Sequence, residues 1–322
     1  MTDEAARPIA VDRPEPGPER PAAAPPSRPR VIRDPDEARD AARTLRRERG
    51  SLALVPTMGF LHEGHLSLLD RAREQASAVA ISIFVNPTQF GPDEDYEAYP
   101  RDLERDARLA AERGADFVFA PTAAAMYPGS PTITVDPGRL ADRLCGLGRP
   151  GHFRGVLTVV LKLLHVLEPD VAVFGRKDFQ QSVLVRRMIR ELDVPTRIET
   201  APIVREPGGL AMSSRNTYLS PSERRVALSL SRGLRLVRER FAAGERDPSA
   251  LVSLARATME TAGAVVEYAE VVDPRELAGV EEASAEAVCA VAARVGSTRL
   301  IDNTPLGGNS SLDAPGRPGA PE

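Results

Sequence analysis

Between residues 35 and 201 the chain alternates short apolar runs with stretches of helical periodicity, and that alternation restricts the folds open to it. Pro35 to Arg49 has a helical pattern and stops at Gly50, which can end a helix in a left-handed conformation. Leu52-Ala53-Leu54-Val55 follows, short and apolar throughout, as in a strand buried on both faces. Val79 to Val85, Phe117 to Phe119, Val171 to Phe174 and Arg197 to Ala201 read as further strands. Helices are expected at His65 to Ala76, Leu103 to Arg113, Val156 to Leu167 and Gln180 to Leu192. Strands separated by helices in this way predict an α/β domain with a parallel sheet covered on both sides. Ligands of such sheets gather at the carboxyl ends of the strands, so the turns there are the places to search for chemistry.

After about residue 203 the texture changes. Helices at Pro221 to Ala242 and Pro248 to Ala262 precede two stretches that alternate or nearly so, Val265 to Val272 and Ala287 to Ala292. These suit a smaller α+β domain with an antiparallel sheet. The expected organisation is an extension over 1–30, a first domain over 31–203, a second over 204–305 and a tail over 306–322. The extension carries eight prolines and no apolar face, and disorder is the expectation for it and for the Gly/Pro/Ser-rich tail. It also lacks the apolar core of a secretion signal.

Composition narrows the class of partner. A net charge of −4 provides no basic excess for nucleic acid or a membrane surface. Val156 to Leu167, the longest apolar run, is interrupted by Lys162 and His165 and is too short to span a bilayer. Cys145 and Cys289 lie far apart, which excludes a disulfide framework and fits a reducing, cytoplasmic setting. Of 42 basic residues only two are lysines, Lys162 and Lys177. In a chain that otherwise uses arginine, a lysine in a turn draws notice.

Four segments fall at strand ends. His62-Glu63-Gly64-His65 opens a helix, where unpaired N–H groups and the positive dipole end suit phosphate. Its histidines share one face, and Gly64 admits close approach to the backbone. A zinc protease would need histidines four apart on a continuous helix, so a metal is the weaker reading here; a chance turn is the bland one. Phe174-Gly175-Arg176-Lys177-Asp178-Phe179-Gln180-Gln181 again runs from strand to glycine turn to helix. Lys177 and Asp178 fit phosphate or metal, although Asp178 fits a helix cap equally well. Met212-Ser213-Ser214-Arg215-Asn216, after Gly208-Gly209, reads either as a closing phosphate loop or as an ordinary polar one. Phe84-Val85-Asn86-Pro87-Thr88-Gln89-Phe90 offers Gln89, which with Gln181 makes a pair of neutral hydrogen-bonding groups. Phe84 and Phe174 read as sheet core, His165 as a packed residue of an apolar helix and His152 as a candidate ligand contact.

Together with Pro56-Thr57-Met58-Gly59-Phe60-Leu61, Tyr99-Pro100-Arg101, Gly151-His152-Phe153-Arg154-Gly155-Val156 and Thr298-Arg299-Leu300-Ile301-Asp302-Asn303, these segments resemble the pantothenate synthetase family. The resemblance runs from about Val31 to Asn303, in the family's order. It implies a Rossmann-like nucleotidyltransferase domain followed by a smaller α+β domain. It also implies condensation of pantoate with β-alanine through a pantoyl adenylate, with ATP as substrate, Mg²⁺ as companion ion and a homodimeric state. Carried over by position, ATP falls to Met58, Gly59, His62, Gly64, His65, Gly175, Arg176, Lys177, Asp178, Val204, Met212, Ser213, Ser214 and Arg215. His65, His62, Lys177 and Arg215 take the catalytic roles, Gln89 and Gln181 take pantoate, and Asp106 takes the metal. Arg176 stands where the family often has an acidic or amide residue, and Arg105 also departs from the pattern. The rival readings are another nucleotidyltransferase with the same histidine motif, and a nucleotide-binding protein without catalysis.

Overall fold

The computed structural model describes residues 29–92, 94–129 and 132–307. The first half contains β1 (Arg30–Ile32), α1 (Pro35–Arg49), β2 (Leu52–Thr57), α2 (Glu63–Gln75), β3 (Ala78–Ile83), α3 (Leu103–Glu112) and β4 (Phe117–Phe119). Two short helices, α4 (Ala123–Met126) and α5 (Leu144–Leu147), lead to α6 (His152–Leu167), β5 (Val171–Gly175), α7 (Phe179–Glu191) and β6 (Arg197–Ala201). The remainder holds α8 (Pro221–Ala242), α9 (Pro248–Thr261), β7 (Val265–Val272), β8 (Val288–Val295) and β9 (Thr298–Pro305).

Strands β1 to β6 form one parallel sheet in the order β1-β4-β3-β2-β5-β6. The period of two along each strand divides its side chains between two cores. Leu52, Leu54, Ala78, Ala80 and Ala172 pack on one face with α1, α6 and α7. Ala53, Val55, Val79, Ile81 and Val171 pack on the other with α2 and α3. Strands apolar at every position are what this sandwich demands. Strands β7, β8 and β9 form a separate antiparallel sheet, packed with α8 and α9 around Leu230, Leu234, Leu251 and Val291.

Local chemistry explains the element ends. Asp34 caps α1 by accepting the N–H groups of Asp36 and Glu37, and Gly50 closes it at φ +93°. Several expectations need correction. Strand β1 begins at Arg30, inside the expected extension; the rest of that extension and most of the expected tail lie outside the described residues. Helix α6 begins at His152, four residues before the expected start, because Gly155 is helical rather than a turn residue. A Cβ there would lie 2.2 Å from the Thr88 carbonyl oxygen, so the glycine permits helix–loop contact rather than a bend. His165 is exposed on the outer side of α6, its Nδ1 2.8 Å from the Leu161 carbonyl, and is not a packed residue.

Gly155→Ala should therefore destabilise the fold by about 1–3 kcal/mol through overpacking. Urea denaturation should show a lower midpoint at unchanged slope.

Candidate active site

Strand β2 is where the sheet's chain order reverses, with β3 and β4 to one side and β5 and β6 to the other. Its register with β5 covers only Ala53↔Val171 and Leu54↔Ala172, whereas its register with β3 continues to Thr57. Pro56, without an N–H, lies in the stretch beyond the β5 ladder. The two strands thus part toward their carboxyl ends, and a cleft opens at the topological switch point. It has a small arm of about 150 Å³ and a larger one of about 660 Å³ reaching to the C-terminal sheet. Lys177, Asp178, Gln181, Ser213 and Arg215 line both.

The start of α2 forms one wall. His62 is its N-cap in extended conformation, and its Nδ1 accepts the Gly64 N–H at 3.1 Å. His65 Nδ1 in turn accepts the His62 N–H at 3.4 Å. A neutral imidazole that accepts at Nδ1 carries its proton on Nε2, so each ring retains an N–H donor. Burial lowers the His62 pKa to about 2, with His65 and Lys177 acting in the same direction. Burial and the Lys177 charge lower His65 to about 4. The rings stack at 4.0 Å, and a Cβ on residue 64 would come within 2.9 Å of the His62 ring, which accounts for Gly64.

The turn after β5 forms the opposite wall. Lys177 has no hydrogen bond or ion pair at its ammonium among the described residues, and its charge is felt at both histidines. Asp178 occupies the N-cap position of α7, yet its side chain caps nothing and stays exposed in the cleft. The bland helix-cap reading of Asp178 is thus not the one the structure uses. Met58, Gly64, Gly175, Val204, Met212 and Ser214 complete the small arm.

Other candidates sit differently from expectation. Arg215 is not a free cation: its guanidinium holds Asp95 through two bonds of 2.9 and 2.6 Å and lies over the Tyr99 ring. Gln89 lines neither arm; its amide bonds Met58 Sδ and Asn86, leaving it behind Met58. Arg176 turns its side chain away from the cleft, where burial and the charges of Arg205 and Arg238 lower its pKa. Gly59 is a backbone device: at φ +90°, with a would-be Cβ 2.9 Å from Ile83, only glycine fits. Asp106 is buried, and its two oxygens accept the N–H groups of Phe60 and Leu61 at 2.6 and 2.7 Å. It braces the loop that carries His62 and lines neither arm of the cleft. Among the described residues no three His, Cys, Asp or Glu side chains gather in a way that could hold a metal ion.

Sequence reasoning gave no role to Asp95, Gln180 or Asn303, all of which line the larger arm. Asn303 and Gln180 lay within the motifs singled out above, whereas Asp95 lay in none. His152 also lines this arm, but its ring bridges the Gln89 carbonyl and Arg149, both at 2.8 Å.

A switch-point cleft with two N–H donors and a helix N-terminus facing an unpaired lysine defines an α/β nucleotide-binding protein. Residues 30–305 match the family model described as pantoate-beta-alanine ligase, and the chain belongs to that family. It is 51% identical over 272 residues to the pantothenate synthetase of Pelotomaculum thermopropionicum, covering 84% of this chain and 96% of that protein. Pantothenate synthetase 1 of Bradyrhizobium diazoefficiens is 50% identical over 86% of this chain and 98% of its own length. Among solved structures, the Thermus thermophilus pantothenate synthetase superposes with a TM-score of 0.82 at 42% identity, covering 87% of this chain and all of that one. The Francisella tularensis pantoate-beta-alanine ligase, complexed with beta-gamma ATP and beta-alanine, gives 0.72 at 31% identity over 86% and 98% of the two chains.

The depressed histidines make stability depend on pH. An unfolded histidine binds a proton near pH 6.5, whereas His65 does so only near 4 when folded. The unfolded state thus holds more protons below neutrality, and stability falls as pH drops from about 6.5 toward 4. Melting temperatures across that range should decline, and His65→Asn should reduce the slope.

Proposed function

We propose that this chain joins pantoate to β-alanine at the expense of ATP, with the cleft between β2 and β5 as its active site. The observation that carries the reading is the pairing of two neutral imidazole donors with the unpaired Lys177 across the small arm. In the first step a pantoate carboxylate oxygen bonds the α-phosphorus and the bond to pyrophosphate breaks. In the second, the β-alanine amine bonds the acyl carbon and AMP departs. Both partners of the first step are anions, so positioning and charge neutralisation carry the catalysis. His62 and His65 donate Nε2–H to phosphate oxygens without adding a full charge, while Lys177 supplies one. Arg215 joins them by leaving or sharing Asp95. Gln181 holds the pantoate hydroxyls without clamping a cation on the attacking carboxylate, and Gln89 supports Met58 from behind. Mg²⁺, when bound with the triphosphate, would add charge neutralisation there, and the exposed Asp178 carboxylate in the cleft would be the side chain available to it.

No helix among the described residues is long and apolar enough to cross a membrane. A cytoplasmic homodimer is part of the same reading, and light scattering should give a mass near twice 34.7 kDa.

Pantoate-dependent exchange of pyrophosphate into ATP separates this function from a nucleotidyltransferase for another substrate and from a silent binder. His65→Ala should abolish the exchange while leaving circular dichroism and melting near wild type; exchange at the wild-type rate would remove His65 from the mechanism.

The two lysines have different surroundings. Lys162 lies over the Tyr127 ring at 5.7 Å, a contact that a guanidinium also makes. Lys177 meets no partner at its ammonium among the described residues, and a compact ammonium is the fit for a narrow phosphate site. Lys177→Arg should fold normally yet lose at least about tenfold in adenylation, or roughly 1.4 kcal/mol of transition-state stabilisation. Lys162→Arg should stay near wild type in the same single-turnover assay.

A further inference from the structure

The motif ending Ile301-Asp302-Asn303 has no part in the chemistry above, yet it meets both nucleotide loops. It lies on β9, at the edge of the antiparallel sheet and far in sequence from either loop. Asn303 is 2% exposed, and its Nδ2 donates to the carbonyl oxygens of Arg176 and Lys177 at 2.9 and 3.0 Å. Its Oδ1 is buried without a hydrogen bond, so the two carbonyls alone fix the orientation of the amide. The preceding residue, Asp302, takes the Arg205 guanidinium with both oxygens, at 2.7 and 3.0 Å, in a fully buried pair. Asp302 also accepts the Asn303 N–H at 2.8 Å, which ties the two grips together.

Arg205 stands between cleft residues of its own loop. It pairs with Ala211 across a single antiparallel bridge, its guanidinium donates to the Gly209 carbonyl, and the Met212 N–H donates to the Val204 carbonyl at 3.0 Å. Fixing Arg205 therefore fixes Val204 on one side and Met212 on the other, both of which line the small arm. The Lys177 turn and the 204–215 loop leave the ends of neighbouring strands, whose last link is the Arg176 N–H to the Ala201 carbonyl at 2.9 Å. Beyond that point this dipeptide is bonded to both segments.

We propose that Asp302 and Asn303 are positioning residues that set the Lys177 turn and the 204–215 loop in one frame for the nucleotide, so that ATP recognition depends on the C-terminal sheet. The proposal rests on the ATP reading of the cleft and adds to it a requirement carried by the second sheet.

The test compares Asn303→Ala and Asn303→Ser with Thr304→Ala, the next residue on the same strand, itself fully buried, its hydroxyl donating to the Pro305 carbonyl. Thr304→Ala measures what a merely structural loss on β9 does. The readouts are the KM values for ATP and β-alanine and the rise in melting temperature on adding ATP. Asn303→Ala should raise the ATP KM about tenfold while the β-alanine KM stays within about twofold, the mark of lost nucleotide positioning. Asn303→Ser, with one short donor left, should fall between it and wild type. Thr304→Ala should lower the melting temperature and leave the ATP KM within about twofold of wild type. Equal ATP KM values in the Asn303 and Thr304 variants would overturn the proposal, and Asn303→Ser decides by the same comparison if Asn303→Ala does not fold. If ATP raises the melting temperature of wild type and of the Asn303 variants alike, positioning falls and the ATP reading stands. If ATP leaves wild type unchanged, both fall.

Discussion

Two parallel strands that share only two register pairs decide where this molecule can act. Strand β2 is bonded to β3 along its length but to β5 only at Ala53 and Leu54, so the sheet opens at its own centre. Every connection in a parallel sheet returns the chain to the same end, and the turns after β2 and β5 therefore face each other across the gap. One turn ends in the His62 cap of α2 and the other in Lys177. The covering helices, the apolar strands and the bracing of the loop by Asp106 all maintain that separation.

The electrostatics follow from the same packing. Burial alone would keep two adjacent imidazoles neutral, and their Nδ1 atoms are already committed to backbone N–H groups. What remains toward the cleft is a pair of directed donors, a helix N-terminus and one ammonium. Such a wall favours anions through geometry as much as through net charge, consistent with a chain that is acidic overall.

Much of the fold could be read before the structure because its local signals agree with its tertiary demands. The span of α1 matches since Asp34 and Gly50 are chemical stops, and the strands match because burial on both faces leaves only apolar residues. Reading failed where a residue serves something distant in sequence. Gly155 resembles a turn signal, yet its reason is the Thr88 carbonyl 67 positions away. Edge strand β1, three residues after a run of prolines, has too short a pattern to register. At the site, residue type and placement singled out His62, His65 and Lys177, and the structure brings all three to the small arm. Side-chain direction was not legible: Arg176 turns toward other arginines and Asp106 holds a loop, and neither placement has a local sequence signal. Asn303 was visible as part of a motif, but its grip on the Lys177 turn spans 126 positions.

The Arg215–Asp95 pair sets a threshold for what the cleft retains. Asp95 is a carboxylate delivered by the chain itself, at a local concentration no free solute matches. A lone phosphate gains little by displacing it, because one guanidinium is all it wins. An anion that draws Arg215 into the cleft must compete with that tethered carboxylate, so it gains most when the arginine is one of several contacts.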